Sequence, residues 1–155
     1  MSFSDPIAFK RQIVQACLQK VQSRIDTAEE AMKASQEAAN SEDKSSAGDK
    51  YETARAMGQA DRDMNARQLQ EALNERKLLE ALQPDHVMEL IGPGALVQLE
   101  QRFLFISVGL GSLQVDGREV IVLSTGSPLY AQLKQKRKGD SVLFQNKQVL
   151  ISLVC

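Results

Sequence analysis

The chain has 155 residues, of which 43% are hydrophobic and 25% are charged, and its formal net charge is −1. This length suits one ordinary domain or two small ones, and the balanced charge excludes a general electrostatic attraction to nucleic acid or to a membrane surface. Cys17 and Cys155 form neither a disulfide framework nor a metal-binding spacing, and residues 1–10 do not read as a signal peptide. No apolar run approaches the ~20 residues of a membrane helix, so we expect a cytoplasmic protein with no membrane contact and no intrinsic metal or cofactor.

The first predicted element is a long helix that begins at Ser4-Asp5-Pro6, where a capping residue precedes a proline. Small or apolar residues then recur at alternating spacings of four and three, the heptad pattern of a coiled-coil seam. The seam residues are Val14, Leu18, Val21, Ile25, Ala28, Met32, Ser35 and Ala39. The helix is expected to end at Asn40, which makes an arm ~50 Å long.

A second helix is predicted from Ser46, as its N-cap, to about Leu82, just before Pro84. Its apolar stripe is less regular and runs through Ala47, Tyr51, Ala54, Met57, Met64, Leu69, Leu73, Leu78, Leu79 and Leu82. Because the two arms are similar in length and only a short polar stretch joins them, we expect an antiparallel coiled-coil hairpin. This hairpin domain would occupy residues 1–84, with its tip at about residues 40–50.

Residues 85–155 predict a second, β-rich domain. Strands are expected over residues 95–100, 103–108, 119–123, 141–144 and 148–154, with turn residues at 109–111, 116–117 and 146–147. One helix is expected over residues 129–138, with Ser127 as N-cap and Pro128 at its first position, and it should close at Gly139. The predicted fold class is therefore α+β.

Two short motifs resemble those of the bacterial Gre family of transcript-cleavage factors, the GreA- and GreB-like proteins. The first, S-P-L-x-x-x-L-x-x-x-x-x-G-D, covers residues 127–140. The second, E-Y-x-x-A-[RK], is matched at Tyr51, Ala54 and Arg55, the start of the second arm. The order of a helical hairpin followed by a β-rich domain is also similar, and the resemblance implies that the second domain is FKBP-like.

The resemblance implies a function in transcription elongation. The second domain would dock at the rim of the secondary channel of bacterial RNA polymerase, and the hairpin would enter the channel and contact the nascent RNA and DNA only indirectly. Carboxylates at the tip would help to hold Mg²⁺ shared with the polymerase and its water, which hydrolyses the 3′ end of backtracked RNA. The chain would then be an accessory factor, expected as a monomer, and not an enzyme itself.

The tip of this chain departs from the family pattern. In an alignment on Tyr51, the two acids of the family fall on Lys44 and Ala47. The candidate metal-assisting acids are Asp43 and Asp49, and the other tip residues are Glu42, Tyr51 and Glu52. Acids in the first turn of a helix are also explained by its macrodipole, and acids in a loop by solvation. A regulator that binds the channel without supporting cleavage is therefore an alternative function.

The candidate docking residues for the polymerase are Ser127, Pro128, Lys134, Lys136, Arg137 and Lys138. Each has a local explanation as well, because serine and proline suit a helix start and cations suit a helix C-terminus.

Two other functions remain open from the sequence. A peptidyl-prolyl isomerase would need an aromatic pocket, for which the second domain offers only Phe103, Phe105, Tyr130 and Phe144. A coiled-coil adaptor or chaperone-like interaction protein would be favoured if Met32, Met57 and Met64 were exposed on the hairpin.

Overall fold

The structure is a computed structural model that describes residues 5–43 and 48–155, apart from the side chains of residues 39, 41–43 and 48–55. The chain divides into two compact units. The sheet unit comprises Met1–Leu18 and Leu78–Cys155, and the helical unit comprises Gln19–Lys77. The boundary expected between residues 84 and 85 stays a prediction. No helix in the described part of the chain is both long enough and apolar enough to span a membrane.

Two long helices, α1 (Pro6–Asp43) and α2 (Gly48–Ala81), begin the chain. Helix α1 starts as predicted, because an Asp5 carboxylate oxygen accepts a hydrogen bond from the Ala8 backbone N–H at 3.0 Å and Pro6 follows directly. Helix α1 continues past Asn40, the predicted end. The predicted N-cap, Ser46, lies outside the described residues.

The α1 seam predicted from the heptad spacing is confirmed. Val21, Ile25 and Ala28 are buried in the helical unit, while Met32 and Ser35 are half-buried. In the sheet unit, Val14 is buried and Leu18 is half-buried, whereas the side chain of Ala39 is not described.

The predicted α2 stripe is right at Leu69, Leu73 and Leu79, which are buried or half-buried, but wrong at three other large apolar residues. Met57, Met64 and Leu78 are exposed by 65%, 48% and 60%. A regular heptad of buried or half-buried positions runs instead through Gly58, Arg62, Asn65, Leu69, Ala72, Arg76 and Leu79. The seam of α2 is therefore set by spacing and includes polar residues.

Within the helical unit the two helices pair antiparallel. Hydrogen bonds between described side chains join them, and residues farther along α1 bond to residues nearer the start of α2. The donor and acceptor pairs are Arg76 to Gln22 at 3.0 Å, Arg24 to Glu75 at 3.4 Å, Asn65 to Ser35 at 3.5 Å and Arg62 to Gln36 at 3.1 Å. The predicted helical hairpin is thus confirmed.

The sheet unit contains a mixed sheet of six strands and one short helix, α3 (Pro128–Leu133). The strands are β1 (Leu96–Leu99), β2 (Arg102–Ser107), β3 (Gly111–Val115), β4 (Arg118–Ser124), β5 (Ser141–Phe144) and β6 (Lys147–Val154). Their order is β3-β4-β2-β1-β6-β5, with β2 and β4 parallel and the other neighbours antiparallel. Long helices followed by this sheet confirm the α+β class.

Strand β3 was not predicted. Its sequence, G-S-L-Q-V, has only two large apolar residues and lies between two glycine-containing turns. It forms a hairpin with β4 through Asp116 and Gly117, whose φ angles of 51° and 74° are those that a two-residue type I′ turn needs.

The central strands carry buried side chains on both faces of the sheet. One face packs on α3, where Leu104 and Ile106 join the same core as Tyr130 and Leu133. Side chains alternate along a strand, so Phe103 and Phe105 of β2 lie on the opposite face; both are buried. There the Phe103 ring meets the ring of Phe9 from α1, edge to face, with centroids 5.4 Å apart. The first turns of α1 therefore pack against this face of the sheet at β2.

Candidate functional site

The predicted tip residues lie where the structure gives no side chains. The side chains of Glu42, Asp43, Asp49, Tyr51 and Glu52 are all outside the described residues, so their roles remain predictions. The backbone does place the first two in the last turn of α1 and the other three in the first turns of α2.

The helix predicted over residues 129–138 is shorter than expected. Ser127 has extended backbone angles and precedes Pro128 at the helix start, as predicted, but its side chain makes no capping hydrogen bond. Helix α3 ends at Leu133, because Lys134 leaves the helical region and Gln135 adopts a left-handed φ of 66°.

The residues that follow α3 pair with residues 90–91 through backbone hydrogen bonds and do not add another helical turn. The Ile91 backbone N–H donates to the Lys136 carbonyl at 2.8 Å, and the Gln135 N–H donates to the Ile91 carbonyl at 3.0 Å. A single bridge also joins Leu90 to Arg137. Because Ile91 is fully buried, this pairing satisfies backbone groups next to the core, which explains why the helix stops.

The structure brings four of the predicted docking residues into one basic segment, residues 134–138. Lys134, Arg137 and Lys138 are exposed and Lys136 is half-buried. None of the four forms an ion pair with another described residue. A turn holds the end of the segment, since the Arg137 N–H donates to an Asp140 carboxylate oxygen at 3.0 Å. The basic segment thus combines a hydrogen-bonded backbone with cationic side chains that have no ion-pair partner in the part of the chain that the structure describes.

Ser127 and Pro128 lie at the other end of α3 from Lys134. Helix α3 has six residues, which gives it a length of ~9 Å. Lys136, Arg137 and Lys138 lie beyond the helix end, so the macrodipole of α3 does not explain their charge.

One buried cation was not predicted. Lys10 is fully buried in the sheet unit, where its Nζ donates to the carbonyls of His86 at 2.9 Å and Cys155 at 3.0 Å. Burial lowers the Lys10 pKa below its ordinary value of 10.5, and the nearby Cys155 and Asp85 oppose this shift. The one sequence signal was spacing, because Lys10 precedes the seam residue Val14 by one helical turn.

Two other kinds of site are a metal site and an aromatic pocket for proline. In residues 5–43 and 48–155, as far as side chains are described, no group of three or more His, Cys, Asp or Glu side chains could hold a metal ion. Of the four aromatic residues considered for a proline pocket, Phe103, Phe105 and Tyr130 are buried and belong to the core of the sheet unit, and only Phe144 is partly accessible.

Comparisons with known proteins identify no family. No protein-family model matches the chain, and no curated protein matches it. Among solved structures, that of the transcription factor Gfh1 is similar, with 14% sequence identity and a TM-score of 0.38 over 89% of this chain and 91% of that chain. The function of this chain is therefore inferred from its own residues and contacts.

Proposed function

We propose that this chain is a Gre-type regulator of transcription elongation in the bacterial cytoplasm. The sheet unit binds RNA polymerase at the rim of the secondary channel, and the end of the hairpin enters toward the active site. One observation supports this proposal above all. The antiparallel pairing of α1 and α2 brings the last turn of α1 and the first turn of α2, which carry the predicted acids, to the same end of the helical unit.

Docking is assigned to the basic segment and to the start of α3. Cations that have no ion-pair partner among the described residues are available for an acidic surface on another protein, and backbone hydrogen bonds that order the segment reduce the entropy lost on binding. Among the other exposed cations of the sheet unit, Arg11 pairs with Asp85 and Lys147 pairs with Glu100, while Arg102 lies over the Phe144 ring at 5.5 Å from its centroid.

Charge reversal tests the docking surface. The variant Arg137→Glu/Lys138→Glu should weaken polymerase binding by ~5–30-fold, since two exposed charge contacts contribute about 1–2 kcal/mol together. The matched control is Lys33→Glu/Lys77→Glu, which changes the net charge equally at exposed positions of the helical unit. Binding is measured by polymerase pull-down at several salt concentrations. Equal binding of both variants would move the docking surface elsewhere.

The function at the hairpin end is tested on a stalled, backtracked elongation complex. Mg²⁺-dependent shortening of the RNA that is lost in Asp43→Ala or Asp49→Ala would establish a cleavage factor. The matched control is Asp61→Ala, an exposed acid farther along α2. Polymerase binding without RNA shortening would establish the non-cleaving regulator, to which Lys44 and Ala47 at the positions of the family acids point. No binding to the polymerase would refute both forms.

A coiled-coil adaptor remains the second candidate, because Met57 and Met64 are exposed by 65% and 48% one heptad apart on α2. Exposed methionines suit adaptable protein interfaces, although Met32, the third residue considered, is half-buried. A photo-crosslinker placed at position 57 distinguishes the two functions. Capture of a polymerase subunit supports the elongation regulator, and capture of another protein from a mixture that contains polymerase supports the adaptor.

A further inference from the structure

The contact between the two helices changes character along the helical unit. Val21, Ile25 and Ala28 on α1 and Ala72 on α2 are buried. Beyond these residues, toward the end of the hairpin, no residue with a described side chain is buried on either helix. The seam positions there include Ser35, which is half-buried but polar.

A polar layer occupies this part of the seam, formed by Ser35, Gln36, Arg62 and Asn65. The Asn65 side-chain amide donates to the Ser35 hydroxyl at 3.5 Å. Arg62 donates through Nη1 to Gln36 Oε1 at 3.1 Å and through Nη2 to Gln59 Oε1 at 2.7 Å. Its Nε is buried and has no hydrogen-bond partner among the described residues. The guanidinium is therefore held between the helices by its two terminal nitrogens.

Such a layer is a poor source of stability. Apolar residues at seam positions bury surface without desolvating polar groups, whereas a polar residue at a seam position lowers the stability of a coiled coil and specifies its register. The buried Nε of Arg62 has lost its hydration without gaining a hydrogen bond to a described residue, and this lowers the stability of the fold further. The polar layer is thus suited to select one alignment of the helices.

The alternative alignment is a slip of one heptad. In one direction this slip would set Asn65 against Ala28, and in the other direction it would set Ser35 against Ala72, so that an amide or a hydroxyl would face a methyl group at the interface. Without the polar layer this alignment has no such penalty, because the remaining seam positions are mostly small or apolar. A heptad slip displaces one helix by ~10 Å along the other.

We infer that the polar layer fixes the register of α1 against α2, and that Arg62 and Asn65 are positioning residues for the hairpin end. The first part concerns this chain alone. The second part rests on the proposed function, because the register decides where residues 43 and 49 lie when the hairpin enters the polymerase.

The register is tested by distance measurement in the full chain. Spin labels are attached at Lys33→Cys and Lys77→Cys, both exposed, while Cys17 and Cys155 are buried and protected from the label. The chain without further changes should give one narrow distance distribution. The variant Arg62→Leu/Asn65→Leu should give a second population displaced by up to ~10 Å and a Tm raised by about 3 °C.

The matched control is Arg67→Leu, which makes the same chemical change at an exposed position of α2. It should keep a single distance. One narrow distribution in Arg62→Leu/Asn65→Leu, or a lower Tm, would overturn the assignment, because the polar layer would then be either dispensable for register or a net source of stability.

A polymerase assay tests the positioning role. The variant Arg62→Leu/Asn65→Leu should bind polymerase as well as the original chain but act on the elongation complex at least tenfold more weakly, whether the activity is cleavage or inhibition. If activity depended on stability alone, the higher Tm of this variant would raise its activity. Equal activity despite a mixed register overturns the positioning role. If the original chain does not bind polymerase, the proposed function and the positioning role both fail, while the register measurement stands.

Discussion

Truncation of Phe9 tests whether the first turns of α1 pack against the sheet. Phe9 is 3% exposed, its ring meets the Phe103 ring at 5.4 Å, and the Arg118 guanidinium lies over it at 5.6 Å from the ring centroid. Phenylalanine to alanine changes in protein cores lower the free energy of unfolding by ~3–5 kcal/mol. We expect about 3 kcal/mol for Phe9→Ala, because the site is at the end of a helix and the flexible Arg118 side chain can partly fill the cavity.

The variant Phe9→Leu serves as the control. It keeps most of the buried apolar area and loses ring contacts, among them those with Phe103 and Arg118, which together contribute about 1 kcal/mol. The two variants therefore separate burial from ring geometry, and alanine should be the more damaging by about 2 kcal/mol.

Amide hydrogen exchange followed by mass spectrometry is the appropriate assay, because it reports the opening of each strand separately. A loss of 3 kcal/mol increases the open population by more than about 100-fold, and this should appear at β2 and β4, the strands whose buried faces meet α1. Exchange at residues 56–70 of the helical unit should change less. Unchanged amide exchange of β2 in Phe9→Ala would refute the conclusion that α1 packs on the sheet. An equal increase of exchange in Phe9→Leu and Phe9→Ala would refute it as well.

Three further predictions follow from single features. A Cβ at Gly58 would meet no atom within 4 Å, so Gly58→Ala should raise the stability of α2 by up to about 1 kcal/mol; a lower Tm by circular dichroism would contradict this. Burial lowers the Lys10 pKa in the folded state, so the unfolded chain binds more protons and stability should rise as pH increases from the folded pKa toward 10.5. Urea midpoints of Lys10→Met should lack this rise, and parallel curves for the two proteins would refute it. A fragment of residues 85–155 lacks the contact with α1 and should bind a hydrophobic dye or aggregate, whereas native-like folding would support the predicted boundary after residue 84.

The seam of α1 could be predicted because its spacing and its composition agree. Large apolar residues occupy most of the four-and-three positions, so either criterion finds Val21 and Ile25. In α2 the two criteria disagree, since the spacing selects Gly58, Arg62 and Asn65 while hydrophobicity selects the exposed Met57 and Met64. A prediction that favours hydrophobicity over period therefore fails on this helix.

Two predictions for the sheet unit were wrong, since strand β3 was missed and helix α3 was predicted too long. Both elements depend on pairing partners that are distant in sequence. Strand β3 is specified by its pairing with β4 and by the Asp116-Gly117 turn more than by its own apolar content. Helix α3 stops at Leu133 because the following residues pair with Ile91. Local propensity favours a longer helix there, and tertiary hydrogen bonding overrides it.

The candidate site was predictable only in part. The basic segment follows directly from the sequence, but its lack of ion pairs with described residues and its hydrogen-bonded backbone do not, since both depend on residues 90–91 and Asp140. The burial of Lys10 could not be predicted either. Its hydrogen-bond acceptors are backbone carbonyls of His86 and Cys155, and the pattern of side chains in a sequence does not reveal backbone acceptors.

The two units use helix contacts for different purposes. In the sheet unit α1 contributes Phe9 and Ile13 to an apolar core, which is the contact that stabilises a fold most. In the helical unit Ala28 and Ala72 are the last buried residues toward the hairpin end among those with described side chains, and a polar layer continues the seam. A hairpin that only had to be stable would gain more from leucine at these positions. A hairpin that must bring carboxylates to a metal ion needs one alignment above all, because Mg²⁺ accepts oxygen ligands only at ~2.1 Å and a misplacement of ~1 Å can lower a rate by about 100-fold. The polar layer therefore suits the cleaving form of the proposed function, in which the alignment of the helices decides where the carboxylates lie.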